Sequence, residues 1–424
     1  MSEKTWPKIR MKKENKNPLI TGLDIGTSKV CAVAAEVAED GQINVKGMGM
    51  TPCKGVRQGM VVNIEHVAES IGTAMQEAEE MAGEQLNSVY VGVGGNHLKG
   101  SNSRGVIAIH SRDKEVRADD MDGVISAAAA VPMPSDRKLL HVLPLEFKVD
   151  DQEGIKEPIG VAGVRLEAET YLIHGALTSI SNVLKSVQKC DLEVEDIIVE
   201  HLAASEAVLD NDEKELGTVL VDMGAGATNL VIYVRGSVCH MEVLPLGGDH
   251  FTNDISIGLR TPVAEAEAIK QKFGCALSNL IEGQEDIDVP SVGGRKSRVI
   301  SRHLLCEIIE PRAEEIFNLI DQSLNKVGVK PMLTGGIVLT GGSCLMQGMP
   351  EIAERTLGLP VRRGYPRQVG GLADVVNSPI QATAVGLALH GARFGSHQSW
   401  LWQDAGNGLW RRLRQRLGKS LGGK

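Results

Sequence analysis

Short apolar segments that end at glycines recur along this chain, and segments with helical periodicity lie between them. Residues 219–221 and 230–234 are rich in β-branched side chains, as buried strands are. The segment between them reads Asp222-Met-Gly-Ala-Gly-Ala-Thr-Asn229, and its glycines permit close backbone approaches that a Cβ would forbid. The pattern predicts two strands joined by a tight turn, with an acidic residue at its mouth. Taken alone, the segment is also explained by an ordinary glycine turn in a β-hairpin.

The same plan occurs about 200 residues earlier in the sequence. Residues 20–33 contain an apolar segment, Asp24, a Gly-Thr-Ser turn and a second apolar segment. A third segment, 336–343, is a predicted strand that ends at a glycine pair and precedes a predicted helix at 349–355. Successive backbone N–H groups in such turns, and at helix N-termini, suit phosphate groups. The repetition favours two similar halves that face one nucleotide.

The rest of the chain alternates between predicted strands and helices, which is typical of an α/β fold. The further predicted strands are 43–48, 88–93, 139–147, 161–165, 170–175 and 194–199. The further predicted helices are a segment from about Ile64, 117–130, 179–189, 262–273 and 304–326. Residues 150–158 are predicted to form a polar loop. The string Gly92-Val-Gly-Gly95 is interpreted as an ordinary strand end, because it lacks an acidic partner and a lysine.

Composition describes a globular protein, since 42% of the 424 residues are hydrophobic and 23% are charged. A net charge of −9 argues against nucleic acid as the main partner. No apolar run approaches the roughly 18 residues that a membrane-spanning helix needs. Seven cysteines without a Cys-x-x-Cys pair argue against a disulfide framework or a zinc site and favour a cytosolic protein. Residues 1–19 are predicted to form a basic flexible tail, because no apolar run follows them as in a secretory signal.

The segment 409–424 has the pattern of a helix that lies in a membrane interface. At 100° per residue, a helix would place four apolar side chains within about 100° of arc: Leu409, Trp410, Leu413 and Leu417. Its arginines lie opposite this arc or flank it: Arg411, Arg412, Arg414 and Arg416. A polar linker precedes the segment, which favours a membrane helix over the alternative of a helix docked on the protein's own surface.

The glycine turns and two segments rich in small residues, 200–207 and 382–389, resemble the five-motif signature of the actin, Hsp70 and sugar-kinase superfamily. Residues 23–29 match the first phosphate loop, 219–228 the second, and 338–348 the adenosine motif. The resemblance implies a two-lobed, actin-like fold with duplicated ribonuclease-H-like cores. The small residues would let two helices cross closely between the lobes.

The amphipathic tail and an inserted unit make the chain similar to the FtsA family of bacterial cell-division proteins. Family-like strings occur at 289–295 and 335–342. The resemblance implies an actin-like fold in which one subdomain is relocated. It divides the chain into a basic tail at 1–19, core subdomain 1A at 20–84 and 168–199, inserted subdomain 1C at 85–167, core subdomain 2A at 200–247 and 307–390, subdomain 2B at 248–306, a linker at 391–408, and the membrane-targeting helix at 409–424.

The same resemblance implies ATP-dependent self-association into filaments on the cytoplasmic face of the inner membrane, at the division septum. It also implies tethering of FtsZ filaments to anionic inner-membrane lipids and recruitment of later divisome proteins. In that family the FtsZ carboxy-terminal tail docks on the second insertion, and later division proteins meet the first. An acidic FtsZ tail would suit the basic segment 295–302, through Arg295, Arg298 or Arg302. A solvated basic loop remains the alternative for that segment.

The implied ligand is ATP with Mg²⁺. The candidate phosphate-binding residues are Gly26, Thr27, Ser28, Lys29, Gly224, Ala225, Gly226, Thr228, Asn229, Gly247 and Gly248. The candidate adenosine-binding residues are Gly341, Gly342 and Ser343, with Glu267 and Lys270 near the ribose and base. Asp24 and Asp222 would hold Mg²⁺ through waters, because Mg²⁺ keeps much of its hydration shell. Glu200 could orient an attacking water.

Two departures from the superfamily pattern argue against vigorous hydrolysis. Second phosphate loops of the superfamily usually read Asp-x-Gly-Gly-Gly-Thr-x-Asp. Here Ala225, Ala227 and Asn229 replace a glycine, the threonine hydroxyl and the second aspartate. Backbone contacts to phosphate survive these changes, but one hydroxyl and one carboxylate are missing. The sequence therefore predicts nucleotide binding with, at most, slow turnover.

Three other functions compete with the membrane adaptor. A small-molecule kinase of the same superfamily would not explain the amphipathic tail. An Hsp70-type chaperone would need a substrate-binding domain after the last motif, where only 34 residues remain beyond 390. An FtsA-like adaptor of another system, such as pilus assembly, is the closest rival.

We expect Leu413→Asp to release the protein from anionic vesicles while ATP binding stays intact. Each buried apolar side chain should contribute roughly 1.5–3 kcal/mol before ordering costs, and each basic side chain up to about 1 kcal/mol on an anionic leaflet. A charge in the middle of the apolar arc removes part of the first contribution. Deleting residues 409–424 should have the same effect. A variant that floats with liposomes as well as wild type would show that the tail is not the anchor.

Overall fold

The structure is a computed structural model that describes residues 19–38, 42–294 and 296–395. The predicted membrane helix, Arg295 and nearly all of the predicted basic tail lie outside these residues. The strands are β1 (Ile20–Ile25), β2 (Lys29–Val37), β3 (Ile43–Pro52), β4 (Val56–Arg57), β5 (Met60–Val61), β6 (Ser88–Val93), β7 (Lys99–Ala108), β8 (Arg137–Val149), β9 (Gln152–Ile155), β10 (Arg165–Ala176), β11 (Glu193–Val199), β12 (Thr218–Met223), β13 (Thr228–Val234), β14 (Ser237–Leu244), β15 (Asp286–Val289), β16 (Arg298–Ser301), β17 (Ile337–Thr340), β18 (Val361–Arg363) and β19 (Val369–Gly371). The α-helices are α1 (Ile64–Ala82), α2 (Ala118–Ala129), α3 (Leu177–Gln188), α4 (Glu200–Val208), α5 (Asn211–Leu216), α6 (Gly248–Leu259), α7 (Val263–Phe273), α8 (Arg302–Val327), α9 (Met349–Leu357) and α10 (Ala382–Phe394).

Two mixed sheets share one plan and form the cores of two lobes. The strand order is β11-β6-β1-β2-β3-β19 in the first lobe and β14-β13-β12-β17-β18 in the second. In each lobe an antiparallel hairpin, β1–β2 or β12–β13, has one parallel neighbour, β6 or β17. Asp24 lies opposite Cys31 in the first hairpin, and Asp222 lies opposite Asn229 in the second. The predicted strand–turn–strand motifs and their duplication are therefore confirmed.

Helices α4 and α10 cross between the lobes with their backbones in contact. A Cβ added to Gly386 of α10 would lie 1.8 Å from the carbonyl oxygen of Ala203 in α4. A Cβ added to Gly22 of β1 would lie 2.2 Å from the carbonyl oxygen of Ala384. Only glycine fits at such positions, so the small residues allow the close crossing that the sequence predicted.

Helix α10 belongs to the first lobe, which corrects the division made from sequence. It packs against β1, β2 and β6, and β19 pairs with β3 before α10 begins. Residues 307–390 therefore do not all lie in the second lobe. The linker also starts later than 391, because α10 continues to Phe394, whose ring packs 4.9 Å from that of His390. Sequence order alone does not show to which sheet a final helix returns.

The inserted subdomain, made of β7, α2, β8, β9 and β10, is a four-stranded antiparallel sheet in the order β7-β10-β8-β9, with α2 packed against one face. Its bounds differ from the predicted 85–167. Strand β6 was placed inside this unit but pairs with β1 and β11 of the first lobe, because its five residues from Val89 to Val93 are buried in that sheet. At the other end, β10 continues to Ala176 in the inserted sheet.

Strand β10 takes the place of the two strands predicted at 161–165 and 170–175. It starts at Arg165 and runs unbroken to Ala176, with a bulge between Glu169 and Thr170. Residues 161–164 are not part of a strand. Ala162 makes only an isolated β-bridge to Glu115, and the Asp150 carboxylate accepts hydrogen bonds from the N–H groups of Val164 and Arg165. The predicted loop 150–158 contains the short strand β9.

The second insertion, α6, α7, β15 and β16, lies between β14 and α8. The predicted helices 262–273 and 304–326 correspond to α7 and α8. Helix α8 begins at Arg302 because the Ser301 hydroxyl accepts a hydrogen bond from the N–H of Leu304, which is a normal N-cap. Among the described helices, none is both long and apolar enough to cross a membrane.

A pair of helical glycines tests the crossing of α4 and α10. We expect Gly386→Ala to destabilise the protein by about 1–3 kcal/mol, because the added methyl group collides with the Ala203 carbonyl. Gly72 of α1 has no atom within 4 Å of an added Cβ, so Gly72→Ala should stabilise by about 0.5–1 kcal/mol through helix propensity. Thermal and urea unfolding measure both. Equal midpoints for the two variants would contradict a tight crossing.

Candidate functional site

The two predicted phosphate loops face each other across the cleft between the lobes. A Cβ added to Gly226 of the second loop would lie 2.7 Å from the Thr27 hydroxyl oxygen of the first. Each loop closes with the same backbone hydrogen bond, from Gly26 N–H to Lys29 O and from Gly224 N–H to Ala227 O, both at 2.9 Å. The structure therefore brings together the predicted clamp for the β- and γ-phosphates.

Four ionisable side chains lie together at the base of this cleft: Asp24 and Asp222, which are buried, and Lys29 and Glu200, which are half-buried. The Lys29 ammonium donates a hydrogen bond to the Asp24 carboxylate. Burial lowers the pKa of Lys29, but Asp24 outweighs this effect and raises it above the usual value, so Lys29 stays charged. Burial, and then the Asp24 carboxylate, raise the pKa of Asp222 to about 6. Burial and both aspartates also raise the pKa of Glu200 well above its usual value.

The second loop positions Asp222 and uses Thr228 internally. The Asn229 amide donates a hydrogen bond to Asp222 Oδ2 at 3.3 Å, so the residue that replaces the second aspartate of the superfamily pattern orients the first. The Thr228 hydroxyl donates to the carbonyl oxygen of Leu246 at 2.8 Å. Its side chain is therefore already engaged, and it ties this loop to the segment that leads to Gly247 and Gly248.

The predicted adenosine residues lie beside the second loop. Gly248 N–H donates to Gly224 O at 2.9 Å, and the Ser343 hydroxyl donates to the same oxygen at 3.1 Å. A Cβ added to Gly341, which has φ of 81°, would lie 2.5 Å from Asp222 Oδ1. The adenosine turn and the acidic end of β12 are therefore in direct contact.

Glu267 and Lys270 form a cluster with Thr252 on the same side of the cleft. The Lys270 ammonium lies 2.6 Å from Glu267 Oε2, and it donates to the carbonyl oxygen of Gly248 at 2.9 Å and to the Thr252 hydroxyl at 2.8 Å. The ammonium thereby connects α7 to the start of α6. Thr252 is a member of this cluster that sequence reasoning missed, because only its place in the fold brings it to Lys270.

Sequence reasoning also missed two glycines that make room for Glu200. A Cβ added to Gly94 would lie 2.0 Å from Glu200 Oε2, and one added to Gly92 would lie 2.9 Å from its Cγ. The string at 92–95, which was interpreted as an ordinary strand end, is thus the surface against which Glu200 packs. The glycine spacing was visible in the sequence, but its acidic partner comes from a helix more than a hundred residues later.

The tip of the β4–β5 hairpin, Gln58 and Gly59, is a further missed element. Gly59 N–H donates to the Thr27 hydroxyl at 3.1 Å. A Cβ added to Gly226 would lie 3.0 Å from the Gln58 backbone, and one added to Gly95 would lie 2.9 Å from Gly59 O. Both tip residues have positive φ, 50° and 74°. The tip therefore touches both phosphate loops and the turn beside Glu200.

The acidic pair at the cleft suits a hydrated metal rather than a closed metal cage. Among the described residues, no group of three or more His, Cys, Asp or Glu side chains is arranged to hold a metal ion. Mg²⁺ is usually bound through one or two carboxylates, with waters and substrate phosphates completing its octahedron. Asp24 and Asp222 fit that donor set.

The two described arginines of the basic segment, Arg298 and Arg302, are engaged by partners within the protein. The Arg298 guanidinium donates to the carbonyl oxygen of Leu259. The Arg302 guanidinium donates to Phe273 O and Gln347 Oε1, and it pairs with Glu285 at 2.9 Å. Both arginines therefore hold this subdomain together, and their part in partner binding stays a prediction.

Exposed apolar side chains lie around the same subdomain. They are Ile257, Val263, Val292, Val299 and Leu304, each 42–68% exposed. They are contributed by α6, α7, β16, the start of α8 and the turn before β16. Their part in partner binding is a prediction, like that of the arginines.

Comparison with protein families matches two parts of the chain. The model described as "Cell division protein FtsA" matches residues 219–386, and "SHS2 domain inserted in FTSA" matches residues 95–174. The chain is 47% identical over 373 residues to the "Cell division protein FtsA" of Pseudomonas aeruginosa, which covers 88% of this chain and 89% of that protein.

Solved structures show the same overall architecture. The "PilM-PilN type IV pilus biogenesis complex" aligns with a TM-score of 0.63 at 19% identity, over 88% of this chain and 98% of that one. MreB5 of Spiroplasma citri bound to AMPPNP aligns at 0.54 and 13%, over 88% and 95%. The MamK double helical filament aligns at 0.51 and 12%, over 88% and 98%.

These likenesses define an actin-like fold that carries an inserted SHS2 subdomain. The chain belongs to the FtsA family of cell-division proteins. The expected actin-like fold and the expected family are therefore confirmed.

We expect Asp222→Ala to weaken ATP binding more than tenfold without unfolding the protein. Asp222 lies beside the facing loops, and burial of its charge is unfavourable, as its raised pKa shows. Its removal should therefore leave the unfolding temperature the same or higher. Calorimetric titration with ATP and Mg²⁺ measures the affinity, and exposed Asp212→Ala in the same lobe is the control. Equal ATP affinity in Asp222→Ala and wild type would remove this carboxylate from the site.

Proposed function

We propose that this protein is an ATP-binding cell-division adaptor that assembles into filaments, tethers FtsZ to the inner membrane and recruits later divisome proteins. The observation that carries the proposal is the pair of facing phosphate loops in a member of the FtsA family. It would act on the cytoplasmic face of the membrane at the septum, held there by the predicted helix 409–424.

ATP with Mg²⁺ is the ligand that the cleft supports best. The loops offer backbone N–H groups from both lobes, and the acidic pair of Asp24 and Asp222 matches the donors that hydrated Mg²⁺ takes. Spiroplasma MreB5, a structural neighbour, is described as bound to AMPPNP. When bound, the ATP phosphates would supply the negative charge that the loop amides and the Lys29 ammonium face, and the metal would supply positive charge to Asp24 and Asp222.

Slow turnover follows from the state of Glu200. Burial and two nearby aspartates raise its pKa, which disfavours the ionised carboxylate that would accept a proton from an attacking water. Together with Ala227 and Asn229 in the second loop, this favours a nucleotide-dependent assembly switch over a metabolic enzyme. We expect turnover below about 1 s⁻¹, well under the enzyme median.

Self-association into filaments is supported by the fold and by the tail. MamK, another structural neighbour, is described as a double helical filament. A single amphipathic tail binds membranes reversibly, because so short a helix is marginal in water. A filament that presents many tails would bind far more tightly through avidity. Assembly and membrane attachment would therefore reinforce each other.

The second insertion is the proposed docking site for the FtsZ carboxy-terminal tail. Its exposed apolar side chains offer buried contact area, and its exposed basic residues offer attraction to an acidic peptide. Arg298 and Arg302 are held by internal partners, so they would act mainly by shaping and charging this surface. Val299 on β16 is 63% exposed, so a substitution there tests the docking surface more directly than a substitution of either arginine.

An FtsA-like adaptor of a pilus system is the second candidate. The PilM–PilN complex supports it through its fold alone, at 19% identity, whereas the sequence relatives are cell-division proteins. Co-sedimentation with anionic liposomes, with and without purified FtsZ, separates the two. Recruitment of FtsZ to liposomes only when this protein is present supports the proposal, and membrane binding without FtsZ recruitment favours the pilus alternative.

We expect Val299→Glu to weaken binding of a synthetic FtsZ tail peptide about tenfold, because it adds a repelling charge to the docking surface. Charge reversal at Arg295, Arg298 and Arg302 together should also weaken binding, and added salt should weaken it further. A fluorescence polarisation titration measures the dissociation constant. The matched control is Val106→Glu on β7, a 49% exposed valine outside this subdomain. An equal loss in both valine variants would place the site elsewhere.

A further inference from the structure

The inserted subdomain is joined to the second lobe, although the chain connects it only to the first. Tyr171 of β10 is 2% exposed, and its hydroxyl accepts a hydrogen bond from the Met241 N–H of β14 at 3.0 Å. The Ser237 hydroxyl at the start of β14 donates to the carbonyl oxygen of Leu145 in β8 at 3.0 Å. We call this contact between the inserted subdomain and the second lobe a joint. At its edge, Lys156 pairs with Glu215. Strand β14 is therefore held along its length by the inserted subdomain.

Strand β14 leads directly to the nucleotide cleft. After Leu244 the chain continues to Leu246, whose carbonyl oxygen accepts from the Thr228 hydroxyl at 2.8 Å. Gly247 and Gly248 follow, and the Gly248 N–H donates to Gly224 O of the second phosphate loop. A shift of β14 along or across its sheet would therefore move the backbone that borders the phosphates.

A second joint connects the inserted subdomain to the first lobe, at the residue that precedes Glu200 of the cleft. His141 of β8 is buried, and its Nε2 accepts a hydrogen bond from the Val199 N–H at 3.2 Å. Burial lowers the pKa of His141 to about 4, so the imidazole is neutral and keeps a lone pair for this bond. Val199 immediately precedes Glu200, the carboxyl that lies against Gly94 in the cleft.

We propose that the inserted subdomain supplies positioning residues to the nucleotide site, His141 behind Glu200 and Tyr171 behind Gly247–Gly248, and thereby couples ATP binding to its own orientation. This inference rests on the proposed ATP site. One rigid sheet bonded to both lobes must move when the lobes move relative to each other, or else one joint must break. By linkage, any partner that fixes the inserted subdomain would then alter ATP affinity by the same factor by which ATP alters the affinity for that partner.

Hydrogen exchange of the full-length protein, with and without ATP and Mg²⁺, tests the coupling. In wild type, ATP should slow exchange in the phosphate loops and also in β8, β10 and β14. The donors of the two joints, Met241 N–H in β14 and Val199 N–H in β11, report on each joint directly. In Tyr171→Phe, which keeps the ring and the His141 joint but removes the acceptor, ATP should still protect the loops but should protect β10 and β14 less than in wild type. The affinity for ATP should fall about fivefold, the lower end of typical couplings.

Tyr233→Phe is the matched control. Tyr233 is also buried, and its hydroxyl shares a 2.5 Å hydrogen bond with Ser205 rather than with the inserted subdomain. This variant should keep the ATP-dependent protection of the inserted subdomain and an ATP affinity within about twofold of wild type. On the other joint, His141→Gln can restore an acceptor and should retain more coupling than His141→Leu.

Two results would overturn the inference while leaving the proposed function intact. One is protection of the phosphate loops by ATP in wild type with no change in the inserted subdomain. The other is an equal loss of ATP affinity in Tyr171→Phe and Tyr233→Phe, which would show a merely structural role. If wild type neither binds ATP by calorimetry nor shows protected loops, the proposed ATP site itself fails and the inference fails with it.

Discussion

The contact of Gly386 with the Ala203 carbonyl is the constraint on which the rest of the site depends. Because no side chain separates the two backbones there, α4 is held directly against α10, which in turn packs on β1. Helix α4 begins at Glu200 and β1 carries Asp24, so this crossing fixes two of the carboxyls of the cleft relative to each other. The second lobe adds Asp222, whose loop reaches the Thr27 hydroxyl through Gly226. The cleft is thus assembled by glycine and alanine packing before any ligand arrives.

Such an arrangement is electrostatically unfavourable without a ligand. Three carboxyls and one ammonium share a buried cleft, and unpaired buried charge is expensive in a medium of low dielectric. The Asp24 carboxylate is paired with the Lys29 ammonium. The raised pKa values of Asp222 and Glu200 show that their surroundings disfavour the ionised forms of these two carboxyls. Groups perturbed in this way cluster at functional sites. A hydrated cation between the facing loops would supply the positive partner that these carboxyls lack.

Local patterns predicted the loops well because each depends on a few adjacent residues, such as Asp222 and the glycines that follow it. Features that depend on distant partners could not be predicted. Gly94 shows its role only once Glu200 lies against it. The sequence predicted two strands, 161–165 and 170–175, where β10 runs unbroken from Arg165 to Ala176. Glu167, between the two predicted strands, is 3% exposed and pairs with Arg104 and Arg165. The pairing that makes its burial tolerable comes partly from another strand, which no local pattern reveals.

The inserted subdomain shows why boundaries along a chain are not mechanical boundaries. A single hydrogen bond such as the one between Tyr171 and Met241 contributes only about 1 kcal/mol net, which would be weak as a joint. Those two residues, however, also belong to one hydrophobic core that includes Leu143 of β8 and Tyr233 of β13. Dense packing transmits displacement because it resists compression, while the directional bonds set the register in which the surfaces meet. Packing supplies the stiffness and the hydrogen bonds supply the specificity, so an element attached to one lobe by sequence becomes part of both in three dimensions.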